Sequence, residues 1–356
     1  MAQGVKLSLA LIARNEARCL ARCLASIRNT VDEMVVVDTG STDQTVAIAR
    51  QFSANTFEFP WNGDFSAARN FALEQTRGGW ILVLDADEHA SPALGTEIRE
   101  FISGKDAVGR LKIVSDFRRN NQVLRSQSFV SRLFPRGARF EGRIHEQLIS
   151  PLPRLNLKGD LWHDGYLEPG KSERNVKLLR EELENKPGDP YLLFQLALEY
   201  SGLQKPVEAC RCLKQAFDAL RLDEPFAPNV VVDYLYVLTE LKEFQTALGV
   251  IQRAAAVVDD FPDFHLACGL FYMNLVRSNS AKYISYLPNI EKSFKRALSL
   301  GESEKHKTVA GAGTFLAQYN LGTLYHVFGD ASAARRCFEQ AAALGYQPAR
   351  EMLQRL

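Results

Sequence analysis

The chain has 356 residues, more than one hydrophobic core usually supports, so two domains are expected. Its 43 basic and 42 acidic residues nearly cancel and no block of Lys or Arg stands out, which argues against nucleic-acid binding. No apolar run approaches the roughly 18 residues that span a bilayer, and the amino terminus becomes charged too early for a signal peptide, so a cytoplasmic protein without a transmembrane segment is expected.

The first half of the chain alternates strand signals with helix signals. Strands are predicted at 6–13, 34–37 and 55–59, and helices at 18–29, from the turn at 41–42 to 51, and at 65–76. The turn after the first strand lacks glycine and no Walker lysine loop is present, which argues against a dinucleotide site or a P-loop. Strands and helices in this order predict a mainly parallel sheet with helices on both faces.

Carboxylates follow the next predicted strand directly. The stretch 80–88, WILVLDADE, indicates a buried strand that ends in Asp85, Asp87 and Glu88, at the edge where an open α/β sheet binds its ligands. The alternative is that these acids cap the following helix, but Ser91 and Pro92 already supply its start signal. Two carboxylates one residue apart favour a hard divalent cation, Mg²⁺ or Mn²⁺, shared with a diphosphate.

Beyond residue 109 the predicted strands become shorter. We expect strands at 110–117 and 129–134, separated by a turn at 118–122, as an antiparallel extension that wraps the site. The extension delivers two further polar clusters, at 142–146 and 162–166, which contain His145, Glu146 and His163.

Five motifs in this order resemble those of the family 2 glycosyltransferases, which have a GT-A nucleotide-sugar fold. They are A-R-N-E at 13–16, V-D-T-G-S-T-D at 37–43, F-S-A-A-R-N at 65–70, L-D-A-D-E at 84–88 and H-E at 145–146. Each motif is weak alone, but their order and spacing across residues 1–165 make the set specific.

The resemblance implies roles in binding a UDP-sugar donor and a metal. The uridine pocket would be lined by Ala13, Arg14, Asn15, Glu16 and Asp38. Arg69 would lie near the base or the diphosphate, Asp85 near the ribose and Asp87 on the metal, and Ala86 would also contact the nucleotide-sugar. His163 matches the late histidine that completes the metal shell in many relatives, with simple packing beside Trp162 as the alternative.

The chain departs from the family pattern in the second motif. Many relatives carry a second acid where this chain has Thr39, so uracil must be contacted differently. The Q-x-x-R-W motif of processive polysaccharide synthases is absent, which favours transfer of a single sugar.

The implied reaction breaks the bond between the anomeric carbon of the sugar and the diphosphate. A divalent ion stabilises the leaving group, and an acceptor attacking from the opposite face needs a base, which gives inverting transfer in one displacement. Glu146 is the preferred base, with His145 orienting it, and the reverse assignment stays open. The structural alternative is a surface salt-bridge cluster of Glu146 with Arg143.

The second half of the chain is predicted to be helical and repetitive. Helix pairs with small residues at recurring positions, such as Ala197 with Ala209 and Gly322 with Ala334, resemble tetratricopeptide repeats. About four units are expected, with an insertion near 278–289, which divides the chain into a GT-A-like domain at 1–170 and a helical domain at 171–356. A stacked array offers a groove for a polypeptide acceptor, and a structural cap or homodimerisation module is the alternative.

Three functions are compatible with these patterns. The first is transfer of one sugar to a peptide or protein side chain, and the fused architecture resembles that of the glycosyltransferases that modify bacteriocin peptides. The second is the same transfer to a lipopolysaccharide or cell-wall saccharide, which the lack of a convincing basic amphipathic helix disfavours. The third is a non-catalytic repeat scaffold, which intact Asp85, Asp87 and Glu146 argue against.

Overall fold

The computed structural model describes residues 6–119, 122–164 and 171–356. The chain divides into two compact units, Met1–Lys171 and Ser172–Leu356. Within the described ranges, every helix is too short or too polar to cross a membrane.

The first unit is an α/β domain. Its strands are β1 Leu7–Ala13, β2 Glu33–Asp38, β3 Asn55–Glu58, β4 Trp80–Val83, β5 Glu88–Ala90, β6 Val108–Arg119, β7 Gln122–Pro135, β8 Arg139–Glu141, β9 Gln147–Ile149 and β10 Arg154–His163. Its helices are α1 Leu20–Ile27, α2 Thr45–Gln51, α3 Phe65–Gln75 and α4 Pro92–Gly104.

The main sheet has the strand order β3-β2-β1-β4-β7-β6-β10-β5, and β8 pairs with β9 separately. Pairing is parallel from β3 to β4 and between β6 and β10, and antiparallel where β7 joins β4 and β6 and where β5 joins β10. The predicted α/β domain with an antiparallel extension is therefore confirmed, and the sheet as a whole is mixed.

Helices cover both faces of the sheet, as the sequence predicts. Side chains of β1 alternate between the faces, so Leu9 packs in a core with Leu24 of α1 and Ile98 of α4, while Ala10 packs in a core with Leu73 of α3. Burial on both faces explains the near-continuous apolar runs of β1 and β2.

The hairpin formed by β6 and β7 is longer than predicted. The predicted turn at 118–122 is too long. Strand β6 runs to Arg119, and Arg119 pairs with Gln122, the first residue of β7. Residues 120–121 lie outside the described ranges. Backbone pairing to the neighbouring strand overrides the polar, turn-like composition of this stretch.

Parallel pairing brings the carboxyl ends of three strands to one edge of the sheet. Ala13, the last residue of β1, is the register partner of Asp38, the last residue of β2. On the other side of β1, Ala10 pairs with Val83 at the end of β4, two residues before Asp85. The A-R-N-E, V-D-T-G and D-A-D motifs therefore meet at this edge.

The second unit is almost entirely helical. Its helices are α5 Lys171–Asn185, α6 Pro190–Gly202, α7 Pro206–Ala219, α8 Ala227–Glu240, α9 Phe244–Ala254, α10 Pro262–Ser278, α11 Ser280–Tyr283, α12 Leu287–Leu300, α13 Phe315–Val327, α14 Ala331–Ala343 and α15 Gln347–Leu353. The first residue of α5, Lys171, still belongs to the first unit. A 3₁₀ turn, Ile284–Tyr286, precedes α12, and a two-residue strand, β11 Thr308–Val309, precedes α13.

Glycines permit close approach within two of the helix pairs. A Cβ on Gly269 of α10 would lie 2.3 Å from the ring of Phe294 on α12, and one on Gly322 of α13 would lie 2.9 Å from the ring of Phe338 on α14. Both rings are fully buried. The small-residue positions expected of tetratricopeptide-like helix pairs thus have a steric cause.

Candidate active site

The turns after β1 and β2 are tied together by hydrogen bonds. Asn15 has a left-handed backbone (φ 55°), its N–H donates to Oγ of Ser41 at 2.9 Å, and its Oδ1 accepts from the N–H of Thr42 at 2.8 Å. The N–H of Glu16 donates to Oγ1 of Thr45 at 2.8 Å. A left-handed backbone is strained for a residue other than glycine, so the surrounding structure must hold Asn15 in it. Residues held in this way are common at functional sites.

Asp38 and Thr39 stabilise the second turn. The carboxylate of Asp38 accepts the N–H of Gly40 at 3.2 Å and that of Ser41 at 3.0 Å, and Gly40 has φ +103°, which favours glycine. Thr39 is buried, and its hydroxyl donates to the carbonyl of Ala13 at 3.2 Å. The residue that departs from the family pattern therefore joins the ends of β1 and β2.

Asp85 lies at the centre of an ion-pair network with two buried arginines, and its own side chain is 32% exposed. Its Oδ1 accepts from Nη2 of Arg69 at 2.6 Å, and its Oδ2 accepts from Nη2 of Arg132 at 2.6 Å. Burial alone would raise the pKa of Asp85, but the two guanidinium groups outweigh burial and hold this pKa well below its usual range. Asp85 is therefore ionised and fixed in orientation.

Arg132 is absent from the sequence-based site prediction. It lies on β7, is 7% exposed, and its Nη2 also donates to Oε1 of Glu88 at 2.7 Å. Glu88 is 2% exposed, accepts the N–H of Asp85 at 2.8 Å, and has its pKa raised to about 7, chiefly by burial. A signal was available, because Arg132 is the one charged residue among the mostly apolar residues of the strand predicted at 129–134.

Glu146 joins the same network from the segment between β8 and β9. Its side chain is 11% exposed and its Oε1 accepts from Nε of Arg69. Neighbouring His145 has a left-handed backbone (φ 53°), and the N–H of Phe65 at the start of α3 donates to the carbonyl of Arg143 at 2.8 Å. Glu146 is thus a buried partner of Arg69, whereas the sequence alternative placed it in a surface cluster.

Asp87 and His163, the two residues predicted to bind metal, lie side by side. Nε2 of His163 is 3.4 Å from Oδ1 of Asp87, and Nζ of Lys171 is 2.8 Å from Oδ2 of the same carboxylate. Burial would raise the pKa of Asp87, but the hydrogen bond and charge of His163 lower it. Burial lowers the pKa of His163, but Asp87 raises it above its ordinary value.

These residues fit a divalent cation in part. A carboxylate oxygen is an ordinary ligand of both Mg²⁺ and Mn²⁺, whereas an imidazole nitrogen suits softer ions than Mg²⁺, so this pair fits Mn²⁺ better. Among the described residues, no group of three or more His, Cys, Asp or Glu side chains is placed to hold a metal. Asp87 and His163 would therefore hold the ion together with ligands from outside the chain.

The remaining predicted residues lie at the same edge or cannot be placed. Ala13 and Ala86 are buried, and Arg14 is exposed at the tip of the first turn. Gly165 and Tyr166 of the cluster predicted at 162–166 lie outside the described ranges.

Known proteins resemble both units. Residues 8–162 match the Glycosyl transferase family 2 profile. A TPR repeat-containing protein of Synechococcus elongatus is 34% identical over 276 residues, which cover 72% of this chain and 66% of that protein. The SPbeta prophage-derived glycosyltransferase SunS of Bacillus subtilis is 30% identical over 233 residues, covering 58% of this chain and 52% of SunS. The chain thus spans between half and two thirds of the length of these two relatives.

Similarity to solved structures is lower. A crystal structure of MamA aligns with 51% of this chain and 92% of its own, at 17% identity and a TM-score of 0.39. Glucosyl-3-phosphoglycerate synthase of Mycobacterium tuberculosis, solved with Mn²⁺, UDP and phosphoglyceric acid, aligns with 33% of this chain and 44% of its own, at 24% identity and a TM-score of 0.27. The family match and the named relatives confirm the predicted resemblance to family 2 glycosyltransferases with tetratricopeptide repeats.

Proposed function

We propose that this chain, whose first unit carries a Glycosyl transferase family 2 domain, moves one sugar from a UDP-sugar to a side chain of a peptide or protein. The observation that carries the proposal is the meeting of the A-R-N-E turn, the V-D-T-G turn and the D-A-D segment at one sheet edge, with Arg69 and Arg132 fixed on Asp85. Crevices at the carboxyl ends of parallel strands are where open α/β sheets bind nucleotides.

The two arginines suit an anionic donor. Among the described residues, the buried Nη1 of Arg69 and the buried Nε of Arg132 have no hydrogen-bond partner. A buried N–H without an acceptor is costly, and because both atoms are closed to solvent, a phosphate or uracil oxygen would satisfy them only after the surrounding side chains move. We therefore assign both guanidinium groups to the donor site.

The charge of the site favours a cation. Five carboxylates and three basic side chains form two adjoining networks: Glu16, Asp85, Asp87, Glu88 and Glu146 with Arg69, Arg132 and Lys171. A divalent ion held by Asp87 and His163 would offset the excess negative charge, and it would stabilise the diphosphate leaving group when bound.

The chain's own residues divide the remaining chemistry. Arg69 orients Glu146 through Oε1, and we assign acceptance of the acceptor's proton to the other oxygen, Oε2. The acceptor oxygen, nitrogen or sulfur then bonds to the anomeric carbon while the bond to the diphosphate breaks, with inversion.

We assign the acceptor to the helical unit. Its close-packed helix pairs resemble the repeat class that binds extended or helical peptides along a stacked surface, and one relative is named for such repeats. A nucleotide-sugar needs no such surface, because the sheet edge of the first unit already presents the groups that would bind it.

The experiment is mass spectrometry of reactions that offer the full chain several UDP-sugars, Mn²⁺ and a pool of peptides containing Cys and Ser. The expected result is the addition of one sugar to a peptide, absent with Asp87→Ala. Release of UDP without any peptide product, together with sugar transfer to an oligosaccharide offered in parallel, would overturn the polypeptide acceptor. Absence of both products and of UDP-sugar hydrolysis would overturn the transferase itself.

A further inference from the structure

Lys171, the last residue of the first unit, places its ammonium group between two predicted donor-site carboxylates. Nζ lies 2.8 Å from Oδ2 of Asp87 and 3.4 Å from Oε1 of Glu16. Asp87 follows β4 and Glu16 follows β1, so this single cation joins the D-A-D segment to the A-R-N-E turn. The side chain of Lys171 is 31% exposed, whereas that of Asp87 is 8% exposed.

The position of this ammonium conflicts with the position of a divalent ion. A buried carboxylate requires a positive partner, and Lys171 supplies one to Asp87 beside His163. A divalent ion bound by the same carboxylate would face the ammonium at short range, and like charges at such a distance repel strongly in a partly buried site. Binding of the ion therefore requires Lys171 to leave Oδ2.

A diphosphate is the partner that the displaced ammonium would meet. Lysine carries three donors on a flexible four-carbon chain, and it is a common binder of phosphate. The partial exposure of Lys171 leaves room for this movement, and the donor's diphosphate would share the ion that Asp87 holds.

We propose that Lys171 is a donor-binding residue, which neutralises Asp87 in the free protein and contacts the diphosphate of the nucleotide-sugar once the divalent ion occupies Asp87. This inference rests on the proposed function, because it requires a nucleotide diphosphate at the sheet edge. It makes Lys171 a competitor of the ion and a partner of the nucleotide, so its removal must affect the two ligands in opposite directions.

The test is a pair of binding titrations on the full chain with Lys171→Met, which keeps the length of the side chain and removes its charge. Titration of Mn²⁺ alone should show binding about fivefold tighter than in the wild type, because a competing cation is lost. Calorimetric titration of UDP at saturating Mn²⁺ should show binding about tenfold weaker, because a charge-assisted contact is lost. Lys171→Arg should recover most of the UDP affinity, since it restores a cation.

Lys177→Met is the matched control. Lys177 lies on the same helix, its side chain is 79% exposed, and its contact with Glu181 spans 4.0 Å, so both affinities should stay at wild-type values. Tryptophan fluorescence of each variant verifies that the first unit is folded.

The outcomes separate this inference from the proposed function. Tighter Mn²⁺ binding with unchanged UDP binding would make Lys171 a counter-ion only and would overturn its role toward the donor. Unchanged binding of both ligands would make the contact an ordinary ion pair and would also overturn it. Failure of the wild type itself to bind UDP with Mn²⁺ would instead refute the proposed function.

Discussion

Replacing Arg132 by methionine should destabilise the first unit because it leaves a carboxylate buried without its cation. Arg132 donates to Glu88 at 2.7 Å and to Asp85 at 2.6 Å, and Glu88 is 2% exposed. After the substitution the described partners of Glu88 would be reduced to the N–H of Asp85, at 2.8 Å.

The magnitude follows from the burial of the pair. Removing one partner of a buried ion pair costs about 3–5 kcal/mol when the remaining group stays charged. The pKa of Glu88 is already raised to about 7 and would rise further without Arg132, so uptake of a proton should hold the loss near the lower end of this range at pH 7. Methionine fills most of the volume of the arginine side chain, so the cavity left by the substitution should add little to the loss of stability. Arg132→Met combined with Glu88→Gln should recover much of the loss, because an amide takes the place of the buried charge.

The assay uses the three tryptophans of the chain. All of them, Trp61, Trp80 and Trp162, lie in the first unit, so their fluorescence during urea denaturation of the full chain reports on that unit alone. Arg125→Met is the matched control on the same strand. Its pair with Asp116 is exposed, with side-chain accessibilities of 47% and 42%, and its guanidinium also lies 5.1 Å from the ring centre of Trp162. Losing both contacts should cost at most about 1–2 kcal/mol, and the midpoint of unfolding rather than the fluorescence intensity is compared.

Two results would refute this reasoning. One is a cost for Arg132→Met no larger than that of the Arg125 control. The other is a double variant as unstable as Arg132→Met alone, which would show that the buried charge of Glu88 is not the cause.

Three further predictions concern catalysis, pH dependence and the helical unit. Glu146→Gln should slow sugar transfer roughly 10²–10⁴-fold while UDP affinity changes little, and an unchanged single-turnover rate would rule Glu146 out as the base. Burial raises the pKa of Glu33, but hydrogen bonds from Ser8 and Arg77 outweigh burial, so the net pKa is lowered. The ionised side chain therefore stabilises the fold above about pH 4.5, and this stabilisation is lost as the pH falls through the lowered pKa. Glu33→Gln should therefore destabilise the first unit by about 1–3 kcal/mol at pH 7 and by clearly less at pH 3, as measured by tryptophan-monitored denaturation. An equal loss of stability at both pH values would contradict a lowered pKa of Glu33. Removing 172–356 should preserve UDP binding and abolish transfer to a peptide, and full transfer by a folded truncation would show that the helical unit has another role.

The sheet edge that carries the candidate site was predictable because parallel neighbours end at the same edge. The residues after β1, β2 and β4 are read directly from the sequence, and Ala13, Asp38 and Asp85 meet as that rule requires. The length of the β6–β7 hairpin was not predictable, since pairing between strands decides it rather than local composition.

The partners within the site could not be read from motifs. Arg69 and Glu146 are 77 residues apart, and Arg132 and Asp85 are 47 apart, so only tertiary packing selects these pairs. Lys171 follows the last motif and carries no sequence signal of its own. Motifs locate groups that end strands, whereas the charges that compensate them come from distant elements.

The most direct test of a metal-assisted nucleotide-sugar site at this sheet edge is calorimetric titration of UDP into the full chain, with Mn²⁺ and with EDTA, for the wild type and Asp87→Ala. The account predicts that UDP binds the wild type with Mn²⁺ and that binding weakens at least about tenfold when either the ion or the Asp87 carboxylate is removed. Equal UDP affinity in EDTA and in Mn²⁺, or no UDP binding by the folded wild type with Mn²⁺, would contradict it.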